Sequence, residues 1–72
     1  MSGIVAIGEE LLLAGYALAG VDVLPAEDAA AARAAWEALP ADTGLVLLTP
    51  SAYAEVGRDV RGRRVLWAVL PA

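Results

Sequence analysis

The sequence predicts an α/β fold: four strands in one parallel sheet, in the order 2-1-3-4, with three helices in a three-layer arrangement. Three observations predict it. Short runs of Ile, Val and Leu alternate with longer helical runs in a strict β-α-β-α-β-α-β order. The apolar runs near the start and the middle of the chain do not alternate with polar residues, as befits strands buried on both faces. The connections between the runs are short, and a helix between each pair of strands implies parallel pairing with right-handed crossovers.

The first strand is Gly3-Ile-Val-Ala-Ile-Gly8, rich in β-branched residues. A helix follows over Leu11 to Ala19, with Glu9 and Glu10 in its first turn, where the helix dipole favours carboxylates. Gly20 stands where a left-handed C-terminal cap belongs. Gly15 lies mid-helix, at a cost of about 1 kcal/mol relative to Ala, and close packing on the sheet is its expected reason. Val21-Asp-Val-Leu24 is a short second strand. Pro25 is expected to open the second helix as its first residue, with Glu27 and Asp28 in the first turn. Ala29, Ala32, Trp36 and Leu39 follow the spacing of one buried stripe. Arg33 and Glu37 form an expected i, i+4 pair on the wet side, and Pro40 stops the helix.

Thr43-Gly44 lead into the third strand, Leu45-Val-Leu-Leu48. Thr49-Pro50 is a strong helix start, a hydroxyl cap followed by Pro at the first position. The third helix is expected to run to about Val60 with Tyr53, Val56 and Val60 inward. Arg58 and Arg61 lie near its C-terminal end, where cations are favoured, and Gly62 breaks it. Arg64 to Leu70 forms the last strand, an edge strand in this order, and Pro71 ends it.

Composition excludes several classes of function. The chain has 72 residues, enough for a single domain over 1–72. It has no Cys, no His and no Lys, so thiolate or imidazole metal sites and catalysis by those side chains are excluded. Five Arg against nine Asp and Glu give a net charge of −4. Nucleic-acid binding needs a basic face, which argues against that partner. The hydrophobic fraction is 60%, yet the longest charge-free stretches, Leu11–Val21 and Thr43–Ala54, fall short of the roughly 20 residues of a membrane span. No signal-peptide pattern precedes Glu9. The expectation is a cytoplasmic protein with no direct membrane insertion. Seventeen of the apolar residues are Ala, but the Leu and Val on so small a body still leave apolar surface outside, and large exposed patches mark partner sites.

A flavodoxin-like or receiver-like sheet binds ligands beyond the C-terminal strand ends, at the switch point between strands 1 and 3. There stand Gly8-Glu9-Glu10 and Thr49-Pro50-Ser51. A phosphate site would need a glycine-rich turn, and the two carboxylates would repel the anion. A phosphoacceptor receiver would need an acid at the end of strand 3 and a later Lys, and this chain has neither. Glu9 and Glu10, being adjacent on a helix, point about 100° apart and make no facing acid–base pair. They read as solvated acids at a helix N-terminus. No cofactor is implied. A degenerate receiver-like signalling module or a small ligand-binding domain, using Glu9, Glu10 and Thr49, is the alternative reading.

The remaining chemistry points to contacts. Arg61-Gly-Arg-Arg64 is a basic turn, and Trp67 on an edge strand is a typical interface anchor. Tyr53, Arg61, Arg63, Arg64, Trp67 and Leu70 are the candidate partner-interface residues. The little-charged edge strand could also pair with its own copy as a homodimer.

In this order, Ile4-Val-Ala-Ile-Gly-Glu9, Gly15-Tyr-Ala-Leu-Ala-Gly-Val21, Gly44-Leu-Val-Leu-Leu-Thr49 and the apolar strand closing at Pro71 resemble the F-subunit family of the V-type and A-type rotary ATPases. The blocks cover nearly the whole chain. The resemblance implies a non-catalytic central-stalk component of a proton- or sodium-translocating ATPase or ATP synthase. Such a protein docks on the coiled-coil stalk subunit, the D component of the rotor, and meets neighbouring subunits. It lies peripheral to the membrane within a membrane-bound complex, with the ATP sites on other subunits. Family members continue past the last strand into a C-terminal segment. Roles attributed to that segment, and individual interface residues, are not carried over to this chain.

Overall fold

The computed structural model describes residues 3–71. The elements follow as β1 (Gly3–Gly8), α1 (Glu10–Leu18), β2 (Asp22–Pro25), α2 (Ala29–Glu37), β3 (Thr43–Leu48), α3 (Pro50–Gly62) and β4 (Leu66–Val69). The four strands form one parallel sheet in the order β2-β1-β3-β4. This is the expected α/β architecture. Val5 lies opposite Val46, and Val46 opposite Trp67, so one row of side chains crosses the sheet on a single face.

That face carries the main core. Val5, Ile7, Val46 and Leu48 pack against Ala32, Trp36 and Leu39 from α2 and its end, and against Ala52, Val56 and Val60 from α3. Helices α2 and α3 also pack on each other. The opposite face is covered by α1 alone, which packs on β1 and β2. Its core is small: Ala6 and Leu13 are fully buried there. The split follows from right-handed crossovers, because the β1-to-β2 connection runs the opposite way along the sheet from the other two.

Several local expectations change. Pro25 ends β2, opposite Gly8, instead of opening a helix. β2 is an edge strand, where a residue without an N–H is tolerated. Helix α2 starts later, at Ala29, because the Asp28 carboxylate accepts from the Ala31 N–H at 2.8 Å and is the stronger cap. Of the predicted α2 stripe, Ala32, Trp36 and Leu39 are buried and Ala29 is exposed. Arg33 does not pair with Glu37. It reaches α3, donating to the Glu55 carbonyl at 2.9 Å and pairing with Asp59 and Glu55. The packed α2–α3 pair brings two carboxylates within its reach. The caps at Thr49, with Pro50 at the first position, and at Gly20, with φ of 88°, are as expected. Gly15 is exposed, and a methyl group there would meet nothing within 4 Å. Close packing therefore does not account for this glycine.

Candidate functional site

Parallel strands place β1 and β3 side by side, so Glu9 and Thr49 emerge together at their C-terminal ends. Glu9 has extended backbone geometry at the start of α1 and makes no side-chain cap to its own helix. Its carboxylate instead accepts from the Thr49 and Ser51 hydroxyls, each at 2.7 Å. The Thr49 hydrogen bond, then the Ser51 one, hold the Glu9 carboxyl below the ordinary carboxylate range. A carboxylate so held is ionised at neutral pH and is not a proton donor. Glu10 lies in the first turn of α1, and its backbone N–H donates at 2.9 Å to the Glu27 carboxylate, 17 residues away. The start of α1 is therefore capped from the β2–α2 connection.

A cleft of about 330 Å³ opens between these groups and the first turns of α2 and α3. Glu9, Glu27, Asp28, Ser51 and Glu55 supply its polar lining. No arginine lines it, so it disfavours anions. Among the described residues no three acids are placed to hold a metal ion. Every buried side-chain polar atom there already has a partner. The cleft is a set of satisfied caps, without an acid–base pair or an orphaned group aimed into it.

The sequence-predicted interface residues divide. Tyr53 and Trp67 stack with ring centroids 5.3 Å apart and 18° between planes. Arg61 donates to the Tyr53 hydroxyl at 2.6 Å, with its guanidinium 5.9 Å from the ring centroid. The Arg63 guanidinium lies 5.0 Å from the Trp36 ring centroid. Tyr53, Arg61, Arg63 and Trp67 thus serve the α2–α3 side of the molecule through contacts with its own chain. Arg64 is exposed in the turn before β4, and Leu70 is half-buried just after it, its N–H bonded to the Leu48 carbonyl at 2.8 Å.

Among the described residues, one face of the sheet is apolar and only partly covered. Helix α1 does not pack on β3 or β4, so their α1-side residues are left half-buried or exposed. Trp67 packs toward α3, so strand alternation turns Leu66 and Ala68 to the other face, beside Leu45 and Leu47. Leu66 is 73% exposed and Ile4 43%. Ala68 is exposed, and Leu45 and Leu47 are half-buried. On α1, Leu11 is 92% exposed and Leu12 47%. Sequence reasoning names the edge strand with Trp67 and Leu70 as its candidate contacts, and does not separate the strand's two faces. The alternation Leu66-Trp67-Ala68 holds the signal, since one parity must face away from α3. So does Leu11-Leu12-Leu13, because three consecutive helical residues span about 200° and cannot share one buried face.

The chain matches no family model, no curated protein and no solved structure.

Proposed function

We propose that this chain is a docking protein without catalytic activity of its own, the F-like central-stalk component of a V/A-type rotary ATPase. The observation that carries the docking reading is the uncovered apolar half of the sheet, centred on Leu66, Leu45 and Leu47. Exposed apolar surface of this kind on a small body marks a partner site. The sequence blocks that resemble the F-subunit family supply the identity of the partner, the coiled-coil stalk subunit. The parallel sheet would serve as the rigid body through which torque passes, and the nucleotide sites would lie on other subunits. No helix among the described residues is long and apolar enough to cross a membrane, and membrane association would come through the complex.

The test is co-expression with the coiled-coil stalk subunit from the same organism, followed by size-exclusion chromatography with light scattering. A one-to-one complex is expected. A monomer eluting apart from the coiled coil would overturn the assignment. The receiver-like alternative has less behind it, since the Glu9 carboxylate already accepts from the Thr49 and Ser51 hydroxyls, and Glu27 and Asp28 accept from helix-start N–H groups. It predicts shifts at Glu9, Glu10 and Thr49 on adding Mg²⁺.

A further inference from the structure

The two edges of the sheet are not alike. β2 forms one, with Asp22 at its start and Pro25 at its end. A charge and a proline are common guards of an edge strand. β4 forms the other, and Leu66-Trp67-Ala68-Val69 carries no charge, no proline and no bulge. One bond fixes the direction of its backbone groups. The Leu70 N–H donates to the Leu48 carbonyl at 2.8 Å, so the even-numbered residues of β4 turn their backbone groups toward β3. The N–H and C=O groups of Trp67 and Val69 therefore point outward, where no further strand stands among the described residues. The same parity closes the edge on both sides. The outward residue before Trp67 is Val65, whose N–H already donates to the Arg63 carbonyl at 2.9 Å. The outward residue after Val69 is Pro71, which has no N–H.

This short window is complementary to its own image. In an antiparallel pair about a two-fold axis at Ala68, Trp67 lies opposite Val69 of the second copy. The N–H of each then donates to the carbonyl of the other, and every outward group of the window is paired. With the axis at Trp67, Val69 would lie opposite Val65 of the second copy, whose N–H is spent. With the axis at Val69, Trp67 would lie opposite Pro71, which cannot donate. Only the Ala68 register pairs the whole window, and it sets Val65 and Pro71, the two residues with no N–H to give, opposite each other. The side chains agree with it. Ala68 meets its own copy at the axis, in the type of pair where side chains come closest, and it is small. Trp67 against Val69, on the α3 side, joins an aromatic to a β-branched residue, a favoured cross-strand pair. Leu66, 73% exposed, faces Leu70 on the α1 side. Arg63 and Arg64 of the two copies fall at opposite ends of the paired strands, so no like charges face each other.

We infer that β4 pairs with β4 of a second copy of this chain, antiparallel and with the two-fold axis at Ala68, so that two sheets join into one. The occupant of this edge is the chain itself, because the register that satisfies the window is the symmetric one. The pairing goes beyond the docking reading and does not rest on it. It uses the backbone of the edge, and it sets the apolar α1-side strips of two copies side by side without covering them. With so few residues in the shared ladder the interface is small, and the dimer forms reversibly with concentration.

The experiment is sedimentation velocity of the chain alone over about two decades of concentration. Amide hydrogen exchange is read residue by residue by NMR at both ends of that range. The expected result is a monomer–dimer equilibrium, with the Trp67 and Val69 amides exchanging at least about tenfold more slowly at the high end. Val69→Pro removes one outward N–H and leaves the ladder to β3 intact, a change that an edge strand tolerates. It should weaken the dimer at least about tenfold, through the lost bond and the carbonyl left unpaired. Ala68→Glu sets two carboxylates against each other at the axis and should do the same. Circular dichroism checks both variants for folding, and the exchange of the wild-type amides decides the matter if either fails to fold. A monomer at every concentration would overturn the pairing. So would a dimer whose Trp67 and Val69 amides exchange as fast as in the monomer, since that dimer would associate through its apolar faces. A chain that is monomeric alone, with those amides protected only on adding the coiled-coil stalk subunit, would assign the edge to that partner and overturn the second copy.

Discussion

The Thr49 hydroxyl donates to the Glu9 carboxylate at 2.7 Å across 40 residues of sequence. This bond joins the end of β3 to the start of α1. It occupies the switch point, where α/β sheets usually bind ligands, with a contact internal to the chain. Thr49 is almost fully buried and also starts α3. At this end of the sheet the hydroxyls of Thr49 and Ser51 tie the start of α3 to the start of α1.

Gly8 shows how tight the joint is. A methyl group at Gly8 would stand 2.2 Å from the Thr49 Cγ2. Gly8→Ala is predicted to destabilise the chain by about 1–3 kcal/mol, the usual cost of forcing atoms into a packed site. For a domain of this size each kcal/mol lowers Tm by about 4–8 °C. An unchanged Tm would show that Thr49 yields freely.

Gly15 is the opposite case. It is exposed mid-helix with open space around it. Gly15→Ala is predicted to stabilise by about 0.5–1 kcal/mol through helix propensity alone. Urea unfolding measures it. A loss of stability would mean that something packs on that position.

Glu9 makes stability depend on pH. Its carboxyl is held below the ordinary value near 4.5, first by the Thr49 hydroxyl and then by the Ser51 hydroxyl. The unfolded chain therefore binds this proton more readily than the folded one. The Glu9 contribution is present in full above the ordinary value and is lost as pH falls through the depressed one. Glu9→Gln should be less stable than wild type at neutral pH, and the gap should close on acidification below about pH 4.5. A gap independent of pH would contradict the assignment.

Arg33 links α2 to α3 through Asp59, Glu55 and the Glu55 carbonyl. Its side chain is 37% exposed, so water screens much of the attraction. A double-mutant cycle between Arg33→Ala and Asp59→Ala is predicted to give a coupling of about 0.5 kcal/mol, smaller in high salt. A coupling near zero at low salt would show that the packed helices do not need the pair.

Legibility in the sequence follows the range of the interaction. The sheet order, the Thr49-Pro50 start and the Gly20 end depend on local pattern and chain topology, and all are readable. Pro25 misleads because both strand ends and helix starts accept proline, and the stronger cap at Asp28 decides between them. Arg33 misleads because its partners on α3 are 22 and 26 residues away, whereas Glu37 is only four. The role of Glu27 is invisible for the same reason: it caps a helix 17 residues earlier. The bare half-sheet is partly legible, in the parity of Leu66 against Trp67. Which strands α1 leaves uncovered needs the three-dimensional arrangement.

Burial of the apolar half-sheet against a stalk partner is tested most directly by calorimetry. The coiled-coil stalk subunit is titrated into the chain at several temperatures. One-to-one binding with a clearly negative heat-capacity change, the mark of apolar burial, is the predicted result. No binding at any temperature, or binding with a heat-capacity change near zero and a steep salt dependence, would contradict it.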